Sequence, residues 1–317
     1  MNAVDQTLML LFAGYGGLLM LFTLTGRVLA GAAAAGRLDR ALAENFNTRT
    51  HAWWVMAALG SIALMAGRTG VIVAFALISL AAMREFLTLT RFRAADHWAV
   101  AAAVFVVLPL HYALIWVDFY AVYSIMIPVY AFLGLPILSA LRGEADGFLT
   151  RIAEVQWALM VSVFCLSHVP ALMSLQIPGF EGANILLIAF LIVVVQFSDV
   201  MQYVWGKIAG RHPVAPGLSP SKTVEGTVGG ILTAGLIGGA LFWLTPWSPL
   251  QAMAMALLAA VMGFLGGLVM SAIKRDRGVK DWGHVIPGHG GVLDRMDSVI
   301  FAAPVFFHVT RYFWSLS

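Results

Sequence analysis

Between Ser271 and Asp297 the chain gathers five Lys or Arg, four Asp, two His and five Gly within 27 residues. A loop that only joins two apolar segments needs a few cations and nothing more. Carboxylates bind hard divalent cations, Lys and Arg neutralise phosphate oxygens, and Gly-rich backbone turns N–H groups toward an anion. These are the groups that phosphoryl transfer requires. On a helix entering the last apolar segment, Asp294 and Asp297 stand three residues apart and share a face. Two carboxylates there repel unless a cation lies between them, and Mg²⁺, which takes one or two carboxylates plus substrate phosphates, suits the pair. Taken alone, the same acids also fit a helix N-terminus paired with Arg295 or Arg275. Lys274, Arg275, Lys280 and Arg295 are candidate phosphate clamps, Ser271 a candidate substrate contact and Asp281 a candidate further metal ligand. After Pro287, the run Gly288-His289-Gly290-Gly291 excludes regular helix and permits close backbone approach to a ligand, with His289 placed to donate to a phosphate oxygen. His284 reads as an ordinary loop histidine.

A second polar segment lies upstream. Asp199 follows the apolar run Leu186 to Phe197, where a carboxylate is costly unless partnered, so it is a functional candidate and a possible fourth metal ligand. Beyond Tyr203, Gly206 and Lys207 comes Ser219-Pro-Ser-Lys-Thr-Val-Glu-Gly-Thr-Val-Gly-Gly230. Ser219, Ser221, Lys222 and Thr223 are expected to cap the next helix, whose N-terminus is itself an anion site, and Lys222, Ser219, Thr223 and Lys207 are candidate substrate contacts. Gly226, Gly229 and Gly230 suit close helix packing.

The elements that must position these residues are membrane helices. The 317 residues are 61% hydrophobic and 11% charged, far below the quarter or so charged of a soluble domain, and mean hydropathy is +0.88. Disordered, collagenous and disulfide-framework classes are excluded; the single cysteine, Cys165, is a packing residue. At roughly 20 apolar residues per span, the sequence predicts an all-α polytopic membrane protein of about ten helices, near 7–30, 52–67, 69–86, 97–116, 118–141, 155–175, 183–205, 224–245, 249–272 and 296–314. The short second and third segments also fit a re-entrant hairpin. Cytoplasmic loops carry the excess of Lys and Arg. All 19 except Arg68 and Arg311 fall at one set of loops, which puts both termini outside and the polar segments in the cytoplasm. The chain divides by chemistry into a helical scaffold, residues 1–180, and a catalytic region, 181–317, with polar loops 206–223 and 273–297. Glu85, Asp118, Glu154 and the pair Ser167-His168 read as locally satisfied groups. The small net charge of +3 gives no reason to expect a nucleic-acid partner.

The stretch Ser271-x2-Lys-Arg-x4-Lys-Asp-x-Gly-x2-Ile-Pro-Gly-His-Gly-Gly-x2-Asp-Arg-x-Asp297 resembles the signature of phosphatidate cytidylyltransferases, the CDP-diacylglycerol synthases. Asp199 with Tyr203, Gly206 and Lys207, then Ser219 to Gly226, is similar to that family's second conserved region, so the likeness covers roughly 183–314. It implies an enzyme of the bacterial inner membrane, active site toward the cytoplasm, that joins CTP to phosphatidic acid and releases pyrophosphate. Mg²⁺ is implied, often with a monovalent cation such as K⁺, and such enzymes are often homodimers. The chain departs from the family at Gly266-Gly267-Leu268-Val269-Met270-Ser271, where an acidic Gly-Asp-Leu-x-Glu-Ser run is usual; Gly267 cannot replace an aspartate as a metal ligand. Two other readings stay open: a CTP-dependent enzyme with a different lipid phosphate acceptor, and an ion-coupled transporter using Asp199 and Glu85.

Overall fold

The computed structural model describes residues 3–316. Ten helical rods follow one another: α1 (Ala3–Ala34), α2 (Arg40–Met65), α3 (Gly67–Thr88), α4 (Ala94–Trp116), α5 (Tyr120–Ala140), α6 (Phe148–Ser174), α7 (Ile185–Ala209), α8 (Val224–Ala240), α9 (Pro249–Asp276) and α10 (Leu293–Trp314). Seven of them, α1, α3 to α7 and α9, are long and apolar enough to cross a membrane. The chain is an all-α polytopic membrane protein, and each rod overlaps one of the ten apolar runs.

The boundaries differ where polar sequence is helical. Rod α2 begins at Arg40 rather than near 52, because Asp39 accepts the Ala41 N–H at 3.0 Å and starts the helix ahead of the apolar stretch. At 22 residues α3 is long and apolar enough to cross a membrane by itself, whereas the 26 residues of α2 include its polar start. They break at Gly67, whose φ of +67° suits a residue without a Cβ.

Contacts between loops sort the rods into two ends. At one end Arg93 pairs with Glu144 and Asp146, Arg277 donates to Glu154 at 2.6 Å, and Arg275 Nε reaches the Leu218 carbonyl at 3.3 Å. At the other, Arg68 donates to the Ile115 carbonyl and to Ser174 Oγ, both at 3.0 Å, and the Leu316 N–H meets the Gln176 carbonyl at 2.9 Å. The polar loops between α7 and α8 and between α9 and α10 share the cation-rich end.

Rod α8 packs between α7 and α9 by having almost no side chains on the facing surfaces. A Cβ on Gly226 would lie 2.7 Å from the Gln202 carbonyl oxygen, and Gly235 and Gly238 meet Leu257 and Ala256 on α9 in the same way. The loop entering α8 is a small antiparallel hairpin, β1 (Pro213–Ala215) with β2 (Ser219–Thr223). Of the four residues expected to cap α8, only Thr223 does, accepting the Gly226 N–H at 3.1 Å. Ser219 and Ser221 are held in β2 instead.

Candidate active site

The loop between α9 and α10 is organised by two buried carboxylates. Asp294, in the first turn of α10, accepts Lys274 Nζ on Oδ1 at 2.7 Å and the N–H groups of Trp282 and Gly291 on Oδ2 at 2.8 and 2.9 Å. Both partners of the ion pair are buried, Asp294 at 7% and Lys274 at 8% exposure. Glu85 on α3 accepts the N–H groups of Val292 and Leu293 at 2.8 and 2.9 Å, which are unpaired donors at the start of a helix. A Cβ on Gly283 would sit 3.0 Å from Glu85 Oε1, and one on Gly291 would overlap the same carboxylate. Trp282 closes the arrangement by stacking on Phe86 at 5.1 Å. Glu85 is therefore not locally satisfied. Its partners lie more than two hundred residues along the chain.

A second cluster lies one turn deeper. Ser298 Oγ donates to Asp199 Oδ2 at 2.6 Å and stands 3.4 Å from Asp297 Oδ1, which also accepts the Ser298 N–H at 2.8 Å. One hydroxyl thus separates two carboxylates, and among the described residues each keeps one oxygen without a protein donor. Lys222 and Lys274 supply the opposing charge around Asp297. Lys222 makes no ion pair among the described residues. Its Nζ lies over the Phe264 ring at 5.3 Å and occupies the space beside Gly267, 2.9 Å from where a Cβ would begin. The glycine that departs from the resemblance is what leaves room for this ammonium. The expectation that Asp294 and Asp297 share one cation meets a different arrangement, because loop N–H groups and Lys274 take both oxygens of Asp294, while Asp297 joins Asp199.

Beside these clusters a pocket of about 590 Å³ is lined by Arg49, Lys280, Asp281, His284, Arg295 and the Ile286–Gly290 turn. In that turn Pro287 is followed by Gly288 at φ +73°, and the His289 N–H returns to the Ile286 carbonyl at 2.9 Å, the arrangement of a type II turn. Burial holds His289 below the usual histidine range, Arg295 and Arg49 add to that, and the Pro287 carbonyl opposes it by accepting from Nδ1–H. Asp281 and Lys280 are exposed on the rim. Ser271 is spent within its own helix, donating to the Gly267 carbonyl at 2.7 Å. Arg275 braces the loops, its Nη1 on the Val279 carbonyl at 2.8 Å. Lys207 is exposed and lies over Tyr203 at 5.7 Å.

Residues 47–313 match the profile of a family described as the cytidylyltransferase family. The chain belongs to that family. Membership makes it a nucleotidyltransferase by descent. A relative from Escherichia coli (strain K12), "Uncharacterized protein YnbB", is 40% identical over 98% of this chain and 99% of its own length. A "Phosphatidate cytidylyltransferase" from Staphylococcus aureus (strain COL) is 35% identical over 49% of this chain and 62% of its own length. One from Staphylococcus haemolyticus (strain JCSC1435) is 34% identical over the same shares. The chain thus spans less than two thirds of those two enzymes.

Sequence reasoning missed Glu85, Ser298 and the space beside Gly267. Ser298 adjoins Asp297 and was within reach of the motif; Glu85 carries no local signal of its distant role.

Proposed function

We propose that this member of the family is a phosphatidate cytidylyltransferase of the bacterial inner membrane, converting CTP and phosphatidic acid into CDP-diacylglycerol and pyrophosphate, with its site toward the cytoplasm. The observation that carries the reading is the pair Asp199 and Asp297 around Ser298, facing an unpaired Lys222. Among the described residues no three His, Cys, Asp or Glu side chains gather into a metal cage. Two carboxylates with a free oxygen each still fit Mg²⁺, which completes its shell with water and substrate phosphate. Bound there, the ion would neutralise triphosphate charge.

In the reaction a phosphate oxygen of phosphatidic acid forms a bond to the α-phosphorus of CTP. The bond from that phosphorus to the α,β-bridging oxygen breaks, and pyrophosphate leaves with the electron pair. No protein nucleophile is required, since the acceptor is already an anion; catalysis is placement and charge neutralisation. Lys222 reaches the acids from the α8 side, where a lipid headgroup meets them while its acyl chains stay among the apolar rods. Asp294, Lys274 and Glu85 are positioning residues that hold the loop.

The test is radiolabelled CTP with purified protein in detergent and a panel of lipid phosphates. Labelled CDP-diacylglycerol formed from phosphatidic acid in preference to the others is expected. Label transferred only to another lipid phosphate overturns the acceptor, and no lipid-soluble label at all overturns the reading and returns the transporter to consideration.

A further inference from the structure

We propose that Arg49, on α2, is a polyphosphate-binding residue that acts with Lys280 and Arg295 on the two phosphates released as pyrophosphate. The assignment to pyrophosphate rests on the proposed cytidylyl transfer; the polyphosphate pocket itself does not. Arg49 belongs to none of the polar motifs, and its charge alone marks it only as one more cytoplasmic cation.

Its placement is what separates it from the others. The turn at Gly288 is pressed onto α2, so that a Cβ there would lie 3.0 Å from Arg49 Cγ and 3.6 Å from Thr48 Cγ2. One turn further along α2, the Trp53 ring meets His289 edge to face at 5.7 Å. The Arg49 stem thereby lies against the Gly-rich turn, and the residue lines the same pocket as Lys280 and Arg295. None of the three makes an ion pair among the described residues. The Nε of Arg295 is buried with no acceptor among the described residues. Among the described residues Asp281 is the single carboxylate in the lining, against the three cations Arg49, Lys280 and Arg295; of these only Arg295 also lies near the Asp199 and Asp297 carboxylates. By contrast, Lys274 and Arg277 in the same loop are paired with carboxylates, and Arg275 with carbonyls. Cations held together without acceptors repel one another, and the ligand that relieves this is a compact anion of several charges. A volume of about 590 Å³ exceeds what one phosphate needs and accommodates linked phosphates.

The test uses the full chain in detergent and inorganic pyrophosphate as the probe, with Arg49→Ala, Arg49→Lys and, as control, Arg40→Ala from the same helix. Arg49→Ala is expected to weaken pyrophosphate binding and raise KM for CTP by about tenfold each, leaving KM for the lipid within twofold. Arg49→Lys is expected to recover part of the loss, and Arg40→Ala none of it to lose. Pyrophosphate affinity unchanged in Arg49→Ala, or equally weakened in Arg40→Ala, overturns the proposal. Arg49-dependent pyrophosphate binding without any liponucleotide formed from CTP upholds the pocket and overturns the transfer reading; liponucleotide formation by a protein that binds no pyrophosphate does the reverse.

Discussion

The carboxylate of Glu85 accepts the Leu293 N–H at 2.9 Å across 208 positions of chain, joining α3 to the first turn of α10. With the Val292 N–H on the other oxygen, it satisfies two of the donors that every helix start leaves open. Glu85→Ala leaves both without this acceptor, the Leu293 N–H buried and the Val292 N–H partly so, and opens a void beside Gly283 and Gly291. A loss of about 2–4 kcal/mol is expected, read as a fall in thermal unfolding temperature in detergent. Glu85→Gln keeps one oxygen acceptor and should lose less. Equal stability of the alanine variant and the parent would show that the cap contributes nothing.

The Lys274–Asp294 pair is buried on both sides, so breaking it from one side strands a charge. Asp294→Asn should lower stability by about 3–5 kcal/mol as well as activity, rather than activity alone. Combining it with Lys274→Met removes the stranded charge and should restore part of the stability, though not turnover. A double-mutant cycle measures this directly, and additive losses would contradict the pairing.

Asp199 and Asp297 predict the opposite separation. Each faces a like charge across Ser298, so Asp199→Asn or Asp297→Asn relieves repulsion while keeping an acceptor for the serine. Unfolding temperature should hold or rise, whereas CTP-dependent turnover should fall by on the order of a hundredfold or more. Activity near that of the parent in both variants removes the pair from the mechanism.

His289 gives a pH dependence with a definite sign. Burial chiefly, then Arg295 and Arg49, keep its folded value below the ordinary range. A bound polyphosphate cancels the arginine charges and raises that value, so the complex holds more proton than the free protein just below pH ~6.5. Pyrophosphate binding should therefore tighten as pH falls through that window, beyond the effect of the ligand's own titration. Comparison with His289→Gln isolates the contribution; identical pH slopes for the two proteins would refute it.

The ten rods were legible because each carries its own apolar run, and α8 could be recognised as a packing helix from glycine spacing alone. The start of α2 was not, since Arg40 to Thr50 is helical by capping rather than by hydrophobicity. Asp199 stood out as an acid beyond an apolar stretch, where desolvation demands a reason. The division of labour between Asp294 and Asp297 was hidden: helical periodicity puts both on one face, and only the loop donors that fold back onto Asp294 tell them apart. Arg49 and Glu85 were hidden for a related cause. Each lies in a helical stretch rich in ordinary charge, and each acquires meaning from a turn that arrives from the far end of the chain.

Rod α8 has 17 residues, a rise of about 26 Å, short of the ~30 Å of hydrocarbon in a typical bilayer. Lipid that thins to match beside it would lower the phosphate plane of the leaflet toward Lys222 and Asp199. Turnover in reconstituted vesicles should accordingly decline as the host acyl chains are lengthened. A deliberately undersized helix would in this way let the membrane itself deliver a headgroup to the acids, with no need for the protein to lift a lipid out.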